Sequence, residues 1–337
     1  MIKVGVVGLG MMGTTHLDVY SKHPGVEVFA VADIDPDVLR GRKTAAGNVK
    51  GQAAGGFDLA KVRQYDEGLK LIADPDVDLV DICLWTPLHV KYAKAALAAG
   101  KHVLCEKPMC RTAREAAALA AAAATAKGYY MTAMCMRFWP GWDWLKTAIA
   151  KRTYGKCLAA HFRRVTSPIR KPFYLDGKRC GGAILDLHIH DTDFVQYCFG
   201  VPEAVYSRGY SRPTSEPDHV LTHYLYPDVP LVTAEGGWAY ADGFGFKMQF
   251  TVNFERATAA FDFDGKNNVT LTRPGQPAEK VEVGDTMGYQ HEIAYLIECI
   301  QKRRRPAIVT PADGVNTMRI VEAERKSVRT GRVVKLG

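Results

Sequence analysis

Through the first 137 residues, short β-branched apolar runs alternate with stretches of helical spacing. IKVGVV at 2–7 reads as a buried strand, and helical spacing follows from about Met12 to His23. VEVFAVAD at 26–33 is a second strand, after which a helix opens near Pro36. DPDVDLVDICLWTP ends in a third buried strand at about 78–84. A helix from about His89 to Ala99 is then closed by Gly100, a residue that accepts a left-handed C-cap. HVLCEKP supplies another strand, an alanine-rich helix covers 112–127, and YYMTAMCM is a further strand. Strands alternating with helices imply crossover connections, and so a doubly wound parallel sheet.

After about Arg137 the pattern changes. A helix near 142–152 leads to a strand at 157–165, a long irregular loop and a helix at about 182–199. From 203 to 283 extended segments without helical spacing are separated by Pro/Gly turns. EAVYSRGYS, HVLTHYLYP, LVTAEGGWAY, FKMQFTVNF and ATAAFDF are the clearest, and they predict a large, mostly antiparallel open sheet. Helices at about 286–302 and 311–329 finish the chain. The expected class is α/β: an N-terminal domain over 1–130 and an α+β domain over 131–337, with the helix at 311–329 able to pack back on the first.

Composition narrows this further. At 47% hydrophobic and 24% charged, the chain is an ordinary globular one. Its longest low-complexity run, Ala116 to Ala126, is 11 residues of mostly alanine, too short to span a bilayer. The sequence runs from Met1 straight into a strand, so no secretory leader is expected. Eight scattered cysteines without a C-x-x-C pair read as reduced thiols of a cytoplasmic protein. The net charge of +8 is local: residues 301–337 hold ten Lys/Arg against Asp313, Glu322 and Glu324, which is +7. A run such as KRRR at 302–305 reads as a solvated helix end, and with no recognition motif beside it neither nucleic acid nor membrane is an expected partner.

Candidate chemistry begins at Gly8-Leu9-Gly10-Met11-Met12-Gly13, a G-x-G-x-x-G between a strand and a helix. Asp33 stands at the end of the second strand, 25 residues after Gly8. This is the context a dinucleotide site needs. Gly8 permits the tight turn, Gly10 lets backbone amides reach a pyrophosphate, Gly13 allows close helix–strand packing, and the helix N-terminus faces the phosphates. A carboxylate at Asp33 accepts both ribose hydroxyls and repels a 2′-phosphate, which favours NAD over NADP.

Two further segments carry a more specific signal: Thr86-Pro87 with His89, then AGKHV at 99–103 and Glu106-Lys107-Pro108. With the glycine turn and the later Asp186-x-x-x-His190, they make the chain resemble the Gfo/Idh/MocA family, which includes glucose–fructose oxidoreductase and inositol dehydrogenase. The resemblance covers nearly the full length. One departure is that a single residue, not two, separates Pro87 from His89. The resemblance implies a Rossmann domain whose cofactor side includes Thr86, Pro87, His89, Glu106 and Lys107. It also implies a substrate site lined by Lys107, Asp186 and His190.

Read as one helix, 182–199 places Asp186 and His190 four apart on one face, with Asp193 and Tyr197 continuing it. A carboxylate one turn from an imidazole orients the ring and raises its basicity. His188 points elsewhere, since residues two apart on a helix diverge by about 200°, so His188 and His190 do not converge on a metal and none is expected. Arg137 and Trp139 are candidates to border a substrate cleft, although aromatics near a domain junction are more often core. His161 and Arg163 are weaker candidates for substrate contact.

The implied activity is hydride transfer between a nicotinamide cofactor and a sugar, polyol or sugar derivative, in either direction. The family also holds NAD-dependent glycosidases that oxidise transiently and eliminate, and resembles a non-catalytic dinucleotide-binding regulator. Retention of Lys107, Asp186 and His190 together argues against the regulator. Its members associate through the second-domain sheet, which implies a homodimer or homotetramer.

Overall fold

The computed structural model describes residues 1–43 and 57–337, and they form two compact units. The first comprises Met1–Cys135 with Tyr289–Val315, the second Met136–Gly288 with Asn316–Gly337. The boundary thus falls a few residues beyond 130. The segment that returns to the first unit is Tyr289–Val315, whereas the body of the helix expected at 311–329 belongs to the second.

The first unit is a six-stranded parallel sheet in the order β3-β2-β1-β4-β5-β6. Its strands are β1 (Ile2–Val7), β2 (Val26–Ala32), β3 (Arg63–Tyr65), β4 (Leu79–Ile82), β5 (His102–Glu106) and β6 (Tyr130–Ala133). Between them run α1 (Met11–Ser21), α2 (Pro36–Leu39), α3 (Gly68–Ala73), α4 (Thr86–Ala98) and α5 (Ala113–Thr125). Val4, Val6, Leu79, Val80, Ile82, Val103 and Leu104 are wholly buried, as continuous apolar strands covered on both faces must be. The helix expected from Pro36 is a single turn, and β3 went unseen because RQY is short and mostly exposed. Thr112 caps α5 by accepting from Glu115 N–H, while Glu115 reaches back to Arg111 N–H.

In the second unit α6 (Trp142–Ala150) precedes β7 (Cys157–Val165). Short helices follow: α7 (Pro172–Leu175), α8 (Gly177–Cys180), α9 (Gly182–Asp186) and α10 (Ile189–Phe199). Then come β8 (Ala204–Tyr210), β9 (His219–Leu225), β10 (Leu231–Gly237), β11 (Lys247–Phe254), β12 (Thr258–Phe263), β13 (Asn267–Thr272) and β14 (Glu279–Val281). Helix α11 (Gly288–Gln301), nearly all of it in the first unit, then α12 (Pro311–Thr330) and the short β15 (Val334–Lys335) close the chain. The nine strands run β14-β13-β12-β11-β7-β10-β9-β8-β15, antiparallel except where β10 pairs in parallel with β7.

One face of this sheet is covered. There Trp142 meets Phe194 edge-on at 4.8 Å and Phe250 at 5.5 Å, and Phe162 packs on Phe194 at 5.7 Å. The alternate residues form an open face carrying Tyr206, Tyr210, Leu221 and Leu231, 36–50% exposed. No helix among the described residues is long and apolar enough to cross a membrane, and none of the eight cysteines is in a disulfide.

Candidate active site

The turn from β1 to α1 has the geometry its glycines suggest. Gly8 sits at φ +90°, and a Cβ there would lie 2.6 Å from the Cys83 carbonyl oxygen. A Cβ on Gly13 would overlap the Gly8 carbonyl at 1.9 Å, whereas one on Gly10 would meet nothing within 4 Å. The cradle is therefore packed on two sides and open at Gly10, the approach a pyrophosphate requires. Gly10 is the N-cap of α1, and the first amide used inside that helix is Thr14 N–H, bonded to Gly10 O. Met11, Met12 and Gly13 form the first turn of that helix, at its positive end. Asp33 is fixed beside it, Oδ2 accepting Leu9 N–H at 2.7 Å and Oδ1 accepting Asp35 N–H at 2.9 Å. These residues fit a dinucleotide.

The Thr86–Pro87 segment opens α4, with Pro87 in the first turn where a missing N–H costs nothing. His89 and Glu106, expected on the cofactor side, are both buried. His89 is buried, its Nδ1 2.7 Å from Pro108 O and its Nε2 2.8 Å from Leu84 O, so it ties the end of β4 to the turn after β5. Glu106 is also buried, and its Oε2 accepts Lys107 N–H at 3.0 Å. Lys107 follows β5 directly, at the C-terminal edge of the parallel sheet, where open α/β sheets place their ligands.

Beneath this edge lies a network that sequence reasoning missed. His16, on α1, places Nδ1 2.8 Å from Asp81 Oδ2 and Nε2 3.4 Å from Glu106 Oε1, all three buried. Burial opposes charge on His16, but Asp81 overrides it and lifts the pKa well above the ordinary imidazole value. Glu106 is held low by His16 against its own burial. Cys83 adds a thiol 3.5 Å from Asp81 Oδ1. The donor atoms of His16, Asp81 and Cys83 lie within 4.8 Å of one another, and the hydrogen bonds just given account for that closeness. The sequence signal was present: Asp81 is a carboxylate in the otherwise apolar strand LVDI, and such a group demands a buried partner.

In the second unit the single helix expected over 182–199 is two. α9 ends at Asp186 and α10 begins at Ile189, because the N–H groups of Leu187 and His188 both turn to Ala183 O, at 2.9 and 2.8 Å. The second of these spans five residues, the wide turn of a π-bulge, a feature frequent at functional sites. Asp186 and His190 therefore flank a break and do not lie one turn apart in a regular helix; both are half-buried. The break lets buried His188 reach Tyr224 Oη at 3.3 Å, in space left by Gly236, where a Cβ would come 2.5 Å from the ring.

Four weaker candidates lie elsewhere. Arg137 is buried and forks onto both oxygens of Asp193, at 2.8 and 2.7 Å, so Asp193 is its partner and not an extension of a catalytic face. Trp139 is core, its Nε1 donating to Asn267 at 2.8 Å. His161 and Arg163 project from the open face of the sheet, onto Thr233 at 2.8 Å and Glu235 at 2.9 Å. Phe162 and Arg164, the neighbours that face the helices, contact Phe194 and Asp191. Strand alternation thus sends His161 and Arg163 away from the helix layer that carries Asp186 and His190.

Comparison with known proteins agrees with this geometry. Residues 2–134 match the family model GFO_IDH_MocA, described as an oxidoreductase family with an NAD-binding Rossmann fold. Residues 146–336 match the model of its C-terminal alpha/beta domain. The chain belongs to the Gfo/Idh/MocA oxidoreductase family and is an NAD-binding oxidoreductase. It is similar to myo-inositol 2-dehydrogenase of Thermotoga maritima, 32% identical over 59% of this chain and 55% of that protein. It is also similar to trans-1,2-dihydrobenzene-1,2-diol dehydrogenase of Bos taurus, 24% identical over 97% of each. Among solved structures, levoglucosan dehydrogenase with NADH and L-sorbose shares the fold, with a TM-score of 0.85, 20% identity, and 100% of this chain and 99% of that one covered.

Proposed function

We propose that the chain transfers hydride between NAD and one CH–OH group of a sugar, polyol or sugar derivative, with Lys107, Asp186 and His190 as its catalytic set. The observation that carries the reading is Lys107 itself, its N–H bonded to the Glu106 carboxylate at the C-terminal edge of the sheet whose β1–α1 turn forms the dinucleotide cradle. Inositol and the dihydrobenzenediol of the two relatives are secondary alcohols, which supports the substrate class. Gly8, Gly10, Met11, Met12 and Gly13 hold the pyrophosphate, Asp33 holds the adenine ribose and selects against NADP, and Thr86 and Pro87 complete the cofactor side.

The bound dinucleotide supplies the hydride acceptor or donor at its nicotinamide ring. In the oxidative direction His190 takes the hydroxyl proton on its imidazole. Asp186 orients that ring. Lys107 donates to the substrate oxygen as negative charge grows there. In the reductive direction the protonated His190 returns the proton.

A homodimer or homotetramer is part of this reading, supported by the open sheet face with Tyr206, Tyr210 and Leu221 exposed. A monomer by light scattering at micromolar concentration would overturn that part. Eight cysteines without a disulfide are in keeping with a cytoplasmic enzyme. The activity is tested by incubating the protein with NAD and a panel of sugars and polyols. Stoichiometric NADH and ketone are expected. An eliminated or hydrolysed product without net NADH would replace the reading with a glycosidase.

A further inference from the structure

The network under the cofactor cradle does more than fill the core. Lys107 has the amide of its own backbone bound by the side chain before it, since Glu106 Oε2 accepts Lys107 N–H at 3.0 Å. That carboxylate is buried, and its other oxygen lies 3.4 Å from His16 Nε2, a charge contact longer than the bond His16 makes to Asp81. His16 is in turn fixed by Asp81, 2.8 Å from Nδ1, at the centre of the sheet. His16 also belongs to α1, one turn beyond the last glycine of the cradle. A chain of buried polar contacts thus runs from the helix at the pyrophosphate turn, through one imidazole and one carboxylate, to the backbone of Lys107.

We infer that His16 is a positioning residue for Lys107: through Glu106 it fixes the backbone from which the lysine reaches the reacting oxygen, and it ties that placement to the dinucleotide helix. The inference rests on the assignment of Lys107 under the proposed function. A buried ion-pair chain is not needed for stability here, because an apolar side chain of similar size fills such a place at no greater cost. What apolar packing cannot do is orient a carboxylate toward a single N–H. The charge on Glu106 matters for the same reason, since an ionised carboxylate is the stronger acceptor.

The two nitrogens of His16 separate the roles. His16→Gln keeps a donor near the Nε2 position, toward Glu106, and gives up the bond to Asp81. His16→Asn keeps a donor near Nδ1, toward Asp81, and gives up the contact with Glu106. The test compares both with the wild type in the full-length protein. The first readout, which needs no substrate, is amide hydrogen exchange in the peptide that contains Lys107. The second is kcat and KM for NAD with myo-inositol as the probe polyol.

His16→Asn should speed exchange of the Lys107 amide about ten-fold and lower kcat by a similar factor, with KM for NAD near the wild-type value. His16→Gln should restore both to within about three-fold. Equal behaviour of the two variants in the exchange readout would overturn the inference, because a packing role does not distinguish which nitrogen is kept. If either variant fails to fold, Glu106→Gln serves in its place. Its carbonyl end is drawn to His16 and its amide end faces Lys107 N–H, which it cannot accept, so exchange there should rise. Unchanged exchange in Glu106→Gln would equally sink the inference. Failure of the underlying reading looks different: Lys107→Ala would keep its turnover while the exchange pattern stayed as described.

Discussion

Two buried charge sets, one in each unit, are built in opposite ways. In the second, Arg137 forks onto Asp193, which also accepts from Thr317 at 3.0 Å, and Arg164 forks onto Asp191 at 2.8 and 3.2 Å. Both oxygens of each of these two carboxylates have a matched donor. In the first unit, His16, Asp81 and Glu106 are strung together by one short and one long contact. Glu292, wholly buried nearby, has neither oxygen hydrogen-bonded to any described residue. A complete pair costs little and fixes a fold; an incomplete set costs stability and persists where it does something else. The incomplete set is the one that ends at Lys107.

The comparison breaks first at catalysis, where the expected effect is largest. Lys107→Ala and His190→Ala should each lose turnover by about two to four orders of magnitude, counted per folded molecule. Both should still bind NADH, measured by fluorescence titration. Asp186→Asn should fall between them and the wild type, since the amide keeps the shape but not the charge. If His190→Ala keeps more than about a tenth of its activity, under 1.4 kcal/mol of lost transition-state stabilisation, the general-base assignment is wrong.

Next in size is the ion pair of the second unit. Asp193→Ala leaves the Arg137 guanidinium buried without its partner and should cost about 3–5 kcal/mol of stability. The double variant Arg137→Met with Asp193→Leu should recover most of that loss. Both outcomes are read by thermal denaturation, and kcat of the folded fraction should stay within about two-fold. A large loss of kcat in the double variant would move Arg137 back into the site.

Asp33 lies between these cases, half-buried with one backbone donor on each oxygen. Asp33→Ser should move the ratio of NAD to NADP affinity toward NADP by about ten-fold, or 1.4 kcal/mol. An unchanged ratio would remove its assignment to the ribose.

The sequence carried the first unit further than the second for a physical reason. A parallel sheet covered on both faces must be apolar along its whole strands, so VVG, LVDI and HVLCE announce themselves, and Gly13 is forced by the Gly8 carbonyl five residues before it. The second unit's site depends on residues far apart in the chain. The break between Asp186 and Ile189 needs the space at Gly236, nearly fifty positions on, and nothing local in GAILDLHIH marks it. The sheet face of His161 and Arg163 was not legible, because alternation gives two faces without saying which one the helices cover. Arg163 and Arg164 are adjacent arginines, and only Asp191 tells them apart. The first unit's own omission, the His16 network, was legible at Asp81 but not at its partner, since a histidine on a helix pairs with a strand only after folding.

The smallest expected effect separates the two kinds of burial by pH. Burial lifts the Glu292 carboxyl well above the ordinary value near 4.5, with Glu106 and Asp81 adding to the shift and His16 opposing it. The buried phenols of Tyr20 and Tyr289 feel the same group and stay neutral over the working range. An acid whose folded pKa is raised contributes stability that is complete below its unfolded pKa and is lost as pH climbs toward the folded value. Wild-type stability at this site therefore declines from about pH 5 upward. Glu292→Gln cannot titrate, so the melting temperature of the wild type minus that of the variant should fall steadily between pH 5 and pH 8. His16 also has a raised pKa and loses its contribution at higher pH, but it is present in both proteins and largely cancels in the difference. The Asp193 pair offers the control: Asp193→Asn removes a charge already matched by Arg137 and Thr317, so its melting-temperature gap should not follow the trend of Glu292→Gln. A flat gap for Glu292→Gln would mean that Glu292 is ionised and satisfied in solution, and the contrast between the two units would be lost at that residue.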